Sequence, residues 1–256
     1  MAVPTCSPRV YRRRRQRLRR LLLFLLAVAA CFYFIHSGFF SLTHIEITGN
    51  EHIPAEELEN LAAVARGVNL WQVNTTAIAQ RLATHPLVAG ARVTRRWPRT
   101  LAIQITERTP LALLVQDGAF LLVDGSGVVM ERVPRVGDLR LPLISGLGKL
   151  EDAGPGRKVD HPGLQAALAV VQQIPAEDRS HLQEVIASSP LNLQLIWTGN
   201  IRVKFGDGQQ VAEKLARLQE ALQGLVGQEG IDYIDVSYAG PPVVKFKQAA
   251  KQGKKG

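Results

Sequence analysis

The chain has 256 residues, 46% hydrophobic and 21% charged, with a formal charge of +9 from 31 Lys and Arg against 22 Asp and Glu. The excess is terminal: eight arginines from Arg9 to Arg20 and five lysines from Lys245 to Lys255 contribute +8 and +5, which leaves the body between them at −4. Both cysteines, Cys6 and Cys31, precede that body, so it can hold no disulfide and no thiolate metal site, and its roughly 200 residues must form one or two cores by burial alone.

Arg12, Arg13, Arg14, Arg15, Arg17, Arg19 and Arg20 abut an apolar run that starts at Leu21, passes Ile35 and continues beyond His36, Ser37 and Gly38 to Phe40. As a helix, residues 21–40 span roughly 30 Å, the thickness of a bilayer's hydrocarbon core. No acidic residue occurs before Glu46, so the arginines keep residues 1–20 cytoplasmic and place the body outside, a single-pass type II topology. A cleaved signal peptide also begins basic and apolar, and Val28-Ala29-Ala30-Cys31 has the form of a lipoprotein cleavage box. Cleavage there would leave Phe32, Tyr33, Phe34 and Ile35 as a sticky amino terminus, so an uncleaved anchor is expected. The arginines then face anionic lipid headgroups and not nucleic acid.

The body begins with alternation over Thr43, Ile45 and Ile47, a strand closed by Gly49-Asn50. Pro54 suits a first helical turn, Leu58, Leu61, Ala62 and Ala65 share a helical face, and Gly67 ends that helix. Asn74 or Thr75 caps a second helix that carries Ile78 and Leu82 and stops before Pro86. Two strands follow, one with Ala91, Val93 and Arg95 and one with Leu101, Ile103 and Ile105, joined by a turn at Trp97-Pro98-Arg99-Thr100. Residues 41–109 thus read strand, helix, helix, strand, strand.

Residues 110–247 are β-rich. Phe120-Leu121-Leu122-Val123 and Val128-Val129-Met130 flank the hairpin turn Asp124-Gly125-Ser126-Gly127, and Leu141-Pro142-Leu143-Ile144 reads as a short edge-like strand. Gly146 to Gly163 has the composition of a surface loop, and Leu164, Ala167, Leu168 and Val171 mark a helix stopped at Pro175. Leu191, Leu193, Leu195 and Trp197 alternate, Gly199-Asn200 turns the chain, and Ile201, Val203 and Phe205 return. Gln209 to Val226 is an amphipathic helix whose leucine stripe faces the core. Ile234, Val236 and Tyr238 share a strand face, Pro241-Pro242 interrupts, and Val243 to Phe246 resumes. Residues 248–256 have no apolar residue larger than alanine and are expected to be disordered.

The first of these regions resembles the POTRA module in the version carried by the bacterial cell-division family FtsQ/DivIB. The carrying residues are Ile45-Glu46-Ile47-Thr48-Gly49-Asn50, Asn69-Leu70-Trp71, His85-Pro86-Leu87-Val88-Ala89-Gly90-Ala91-Arg92-Val93, and above all Arg95-Arg96-Trp97-Pro98-Arg99-Thr100-Leu101 followed by Glu107-Arg108 and Pro110. The resemblance extends through Phe246. It implies an α+β chain: a single transmembrane helix, a POTRA domain (β-α-α-β-β), then a mixed β domain with an antiparallel sheet and helices. It also implies a divisome scaffold at the septum, with FtsB/DivIC-like and FtsL-like coiled-coil partners and, through them, the FtsW–FtsI septal synthase. By residue match Tyr238 and Phe246 fall on the family's aromatic contact positions, with Val243, Val244 and Lys245 between them; the alternative is that both aromatics are core. Pro241-Pro242 departs from the family and interrupts backbone pairing at the inner end of that edge.

No catalytic, cofactor or metal site is expected. The histidines His36, His44, His52, His85, His161 and His181 lack metal-ligand spacing, and Ser126 sits in turn chemistry instead of a nucleophile elbow. Gly206-Asp207-Gly208 reads as a bend into a helix before it reads as an anion cradle. Arg92, Arg95, Arg96 and Arg99 around Trp97 imitate a nucleic-acid patch on a segment placed outside the cytoplasm. A POTRA-bearing export component would need repeated modules and a barrel, and an anchored cell-wall hydrolase would need a nucleophile or metal constellation.

Overall fold

A computed structural model of the protein describes residues 8–136, 139–225 and 230–247. The expected disordered tail 248–256 and Cys6 lie outside the described residues. The chain divides into two compact units, Met1–Ala83 with Gly90–Glu107, and Thr84–Ala89 with Arg108–Gly256.

In the first unit, helix α1 (Pro8–Ile35) runs without a break from the arginine run into the apolar stretch. The expected helix over 21–40 is therefore longer at its basic end and shorter at the other. It stops at Ile35 because the Ser37 hydroxyl donates to Phe34 O at 2.7 Å and accepts from Phe39 N–H at 3.3 Å, which starts a 3₁₀ turn at Gly38–Phe40. Leu18–Phe40 has a mean hydropathy of 2.1, none of it buried, and is the one stretch among the described residues long and apolar enough to cross a membrane.

Strands β1 (His44–Thr48), β2 (Val88–Arg96) and β3 (Thr100–Glu107) form a sheet in the order β1-β3-β2, with β1 parallel to β3. Helices α2 (Ala55–Ala62) and α3 (Thr75–Leu82) contribute Leu58, Ala62, Ile78 and Leu82 to the buried interior, and β3 contributes Leu101, Ile103 and Ile105. Asn74 is the cap of α3, its side-chain oxygen accepting from Ala77 N–H at 3.1 Å. Gly67 does not end α2. Ala63 takes the left-handed conformation (φ 48°) and closes the helix on Glu59 O and Asn60 O, while Gly67 turns a later loop whose N–H reaches Leu42 O at 2.8 Å. Gly49 is required where it stands: its φ is 82°, and a Cβ there would lie 2.1 Å from Ile105 O.

The turn after Gly49 is held by one carboxylate. Glu107 accepts from the backbone N–H of Glu51, His52 and Ile53 at 2.8, 3.0 and 3.0 Å, and from His52 Nδ1 at 2.9 Å. Burial opposes its ionisation, but the N–H of Ile53, the His52 ring and the N–H groups of His52 and Glu51 outweigh it and hold the pKa at about 2.

The second unit contains a nine-stranded sheet in the order β12-β11-β10-β9-β8-β7-β4-β5-β6. Its strands are β4 (Pro110–Gln116), β5 (Ala119–Asp124), β6 (Val129–Val133), β7 (Leu143–Ser145), β8 (Leu182–Ile186), β9 (Leu193–Trp197), β10 (Ile201–Gly206), β11 (Ile231–Asp235) and β12 (Val243–Phe246). Helices α4 (Pro162–Gln173), α5 (Ala176–Arg179) and α6 (Val211–Gly224) complete it. Strands β4 and β5 read as near-continuous apolar runs because both faces are covered. Alternate residues Ala112, Leu114, Leu121, Val123 and Val129 join the large core, which also contains Leu164, Leu168 and Val171 of α4 and Leu215 and Leu218 of α6. Their neighbours Leu113, Leu122 and Met130 form a smaller cluster on the other side with Leu87, Phe120 and Leu143.

Several expectations change here. The Leu141–Ile144 segment is no edge: β7 lies inside the sheet, parallel to both β4 and β8, and Pro142 stays outside the strand, where its carbonyl accepts from Leu113 N–H at 2.9 Å. The loop 146–163 is not wholly superficial, since Leu147, Leu150 and Val159 are buried in the core. Leu191 lies before β9 and is exposed, because the strand starts only at Leu193. Tyr238 lies beyond the end of β11, not on its face. Strands β4 and β8 and the short helix α5 add to the elements named from sequence.

A carboxyl group with a folded pKa of about 2 against an ordinary 4.5 stabilises the fold fully above the higher value and loses that contribution as pH falls through the lower one. Glu107→Ala is expected to destabilise the first unit by about 1–3 kcal/mol near neutral pH, the scale for orphaning partners of a charged acceptor. Urea unfolding followed from pH 6 downward should show the gap between wild type and variant narrowing as the medium acidifies towards about 2.

Candidate partner-binding edge

A sheet of nine strands has two ends, and the chain treats them differently. At β6 the loop from Gly156 to Val159 bonds alongside: Gly156 N–H donates to Val129 O at 2.8 Å, Arg157 O accepts from Val129 N–H at 2.9 Å, and Val159 N–H donates to Gly127 O at 2.9 Å. At β12 the inner side pairs antiparallel with β11, Val243 opposite Asp235, Val244 opposite Ile234, Lys245 opposite Tyr233 and Phe246 opposite Ile231. No strand flanks its outer side among the described residues. Lys247 N–H points inward, donating to Gly230 O at 2.7 Å. By the alternation of a strand, Val243 and Lys245 present their N–H and C=O on that same inner side, and Val244 and Phe246 present theirs outward. Pro242, the next position in the outward series, has no N–H.

The five residues singled out from sequence come together in part. Val243 and Phe246 are 47% and 44% exposed, so neither is core, whereas Val244 is partly buried and packs against the core. Lys245 is exposed, with Nζ 5.4 Å from the Tyr233 ring centre and 3.8 Å from Asp232. Lys204 approaches the same ring at 4.0 Å, so Tyr233 stands between two ammonium groups beside the edge. Tyr238 is also 44% exposed, in the connection from β11 to β12 and not in the strand.

Arg217, on α6, was not legible as part of this region. Its Nη1 donates to Tyr238 O and, at 2.9 Å, to Gly240 O, and so braces the connection that carries Tyr238. A separation of 21 residues and a helix surface position give no sequence signal for it. The bend at Gly206-Asp207-Gly208 is occupied from within. Lys214, 3% exposed, reaches Asp207 Oδ1 at 2.5 Å and lies 5.3 Å from the Phe205 ring centre. Its hydrogen bond, with one from Gln209 N–H, lowers the Asp207 pKa. Asp124 holds its own turn, accepting from Ser126 N–H and Val128 N–H at 2.9 Å each and from Arg108 at 2.5 Å. Burial raises its pKa, but these bonds outweigh that and lower it. Among the described residues no group of three His, Cys, Asp or Glu can hold a metal ion.

With this geometry in hand, similarity to known proteins is decisive. The model of the FtsQ-type POTRA domain matches residues 40–108, and the model of the FtsQ/DivIB C-terminal region matches residues 112–237. The chain belongs to the FtsQ/DivIB family. It is 33% identical over 221 residues to the cell division protein FtsQ of Mycolicibacterium smegmatis, covering 86% of this chain and 62% of that protein. FtsQ of Myxococcus fulvus is 30% identical, covering 72% of this chain and 65% of that protein. DivIB of Clostridium tetani is 23% identical, covering 87% and 85%. The chain thus spans a little under two thirds of the first two relatives. The family is one of non-enzymatic cell-division proteins, and this member has an α+β body behind one helix long and apolar enough to cross a membrane.

Because Arg217 braces carbonyls and contributes nothing to the strand itself, Arg217→Ala should act locally. Hydrogen exchange is expected to rise across Ser237 to Phe246 while the amides of β9 and β10 keep their protection. Uniformly faster exchange throughout the sheet would show that Arg217 carries a global role instead.

Proposed function

We propose that this FtsQ/DivIB protein is a bitopic scaffold of the divisome that recruits its partners through the open β12 edge. The observation that carries the reading is the contrast between the two sheet ends, one bonded at Gly127 and Val129 by the chain's own loop and one left with outward-facing backbone groups at Val244 and Phe246. An extended partner segment pairs there as a further strand. Tyr238, Val243 and Phe246 supply apolar contact, and Lys245, with Lys204 and Tyr233 behind it, favours an acidic partner sequence. Pro242 ends the pairing, so the added strand runs outward from Val244.

The partner is an FtsB/DivIC-like coiled-coil protein held with an FtsL-like one, and through them the scaffold bears on the FtsW–FtsI septal synthase. The arginines from Arg12 to Arg20 keep the amino end cytoplasmic and the two folded units outside. Anchoring in one membrane confines scaffold and partners to the same thin layer and raises their effective concentration. The residue ranges 1–20, 21–40, 41–109, 110–247 and 248–256 correspond in this reading to cytoplasmic tail, membrane segment, POTRA domain, β domain and basic tail.

Replacing Phe246 by Glu puts a carboxylate where an acidic partner would sit, without touching the core. Co-purification of the full-length variant with the FtsB/DivIC-like protein should fall at least tenfold with an unchanged circular dichroism spectrum, on the order of the 1.4 kcal/mol per decade of affinity. Undiminished co-purification would remove the edge from the account. Topology is checked by adding protease to intact spheroplasts, where degradation of the body down to the anchor is expected and its survival would reverse the orientation.

A further inference from the structure

Where α1 leaves its apolar stretch, five aromatic rings meet. Phe34, in the last turn of α1, stacks on Phe39 with ring centres 5.6 Å apart and meets Phe40 edge-on at 5.4 Å. Phe40 is in turn edge-on to Trp71 at 6.2 Å and to Trp97 at 5.6 Å, and the two indoles are 4.3 Å apart. This cluster is not a core: Trp71, Trp97 and Phe39 are 51%, 46% and 48% exposed. A contiguous exposed patch of large aromatics on a folded unit marks a contact surface.

The patch is built rigidly onto the helix end. Asn69 Nδ2 donates to Ile35 O at 2.8 Å, taking up one of the last helical carbonyls, and its Oδ1 accepts from Trp71 N–H at 3.0 Å. Leu70 N–H donates to Phe40 O at 2.8 Å, and Arg95 donates to Leu70 O and Val73 O at 2.9 and 2.7 Å, which fixes the loop that carries Trp71. On the Trp97 side, Arg99 Nε donates to Phe39 O at 3.1 Å, with the guanidinium 5.9 Å from the Phe39 ring centre.

Length then says what covers it. Because α1 ends at Ile35, its apolar part from Leu21 covers only about 22 Å at ~1.5 Å per residue, short of the ~30 Å hydrocarbon core. The basic end makes up part of the difference by snorkelling. At the other end the next residues in space are the aromatic cluster. We propose that Phe39, Trp71 and Trp97 form a collar seated in the interfacial layer of the bilayer that α1 crosses, so that the occupant of this patch is lipid and not a second protein. Amphipathic indoles favour that depth, and the Arg99 guanidinium beside Phe39 lies at the level of headgroup phosphates. Since the collar joins the helix end, the 69–73 loop and the turn between β2 and β3, seating it sets the orientation of the first unit on the membrane.

The test uses the full chain in nanodiscs of phosphatidylcholine and phosphatidylglycerol, compared with discs whose phosphatidylcholine is brominated high on the acyl chain, a contact quencher of indole. Of the 3 tryptophans, Trp197 is buried in the second unit and serves as the internal reference. Wild-type emission is expected to drop by about half or more in brominated discs, as two of the three indoles lie in the interface. The Trp71→Phe/Trp97→Phe variant keeps ring stacking and the Trp197 emission maximum, and should lose almost nothing. Equal wild-type brightness in both discs, or the same fractional loss in the double variant, would overturn the proposal.

Discussion

Backbone N–H and C=O groups taken out of water need partners, and the structure is arranged around where those partners come from. At the end of α1, carbonyls with no helical donor left are met by Asn69 and by the Ser37 hydroxyl. In the turn after Gly49, three successive N–H groups converge on the Glu107 carboxylate, which is why that acid stays ionised far below its ordinary range. At one end of the large sheet a loop bonds to Gly127 and Val129; at the other no loop or strand does so among the described residues. An outer row with no described neighbour is a natural point for another chain to enter.

Much of this was legible where periodicity is local. The helix carrying Leu164, Ala167, Leu168 and Val171, the leucine stripe of α6, and the two strands around the Trp97 turn follow from spacing alone. What spacing could not supply is neighbour order. Leu141 to Ile144 looked like an edge because proline cannot donate to a ladder, yet Pro142 contributes only its carbonyl and β7 is enclosed by parallel partners. Strand β4 gives no alternation signal, because an unbroken apolar run buried on both faces has no period of two. Ala63, a residue without the conformational freedom of glycine, ended α2 by tertiary demand where Gly67 was the local signal.

The candidate edge was legible to a similar degree. Resemblance to the family pointed to Tyr238 and to Val243 through Phe246, but the outward parity of Val244 and Phe246 depends on one bond, Lys247 to Gly230, between residues far apart in sequence. Tyr238 looked like a strand residue by its step of two from Val236; the chain instead leaves the ladder after Asp235, and Asp235 itself accepts from Ser237 N–H at 3.0 Å to start the turn. Arg217 then holds that turn from a helix.

Magnitudes indicate how such an edge works. Val244 and Phe246 offer up to four outward hydrogen bonds, each worth about 1 kcal/mol net, so backbone pairing alone gives about 4 kcal/mol, a millimolar Kd before any cost of ordering. Association also costs several kcal/mol in lost freedom. A four-residue strand therefore cannot hold a free partner by pairing; the exposed Val243, Tyr238 and Phe246 side chains and the lysines must add to it. Confinement of both chains to one membrane reduces the remaining deficit, because the encounter becomes a search within a layer instead of a volume. The anchor is thus part of the binding energetics and not only an address.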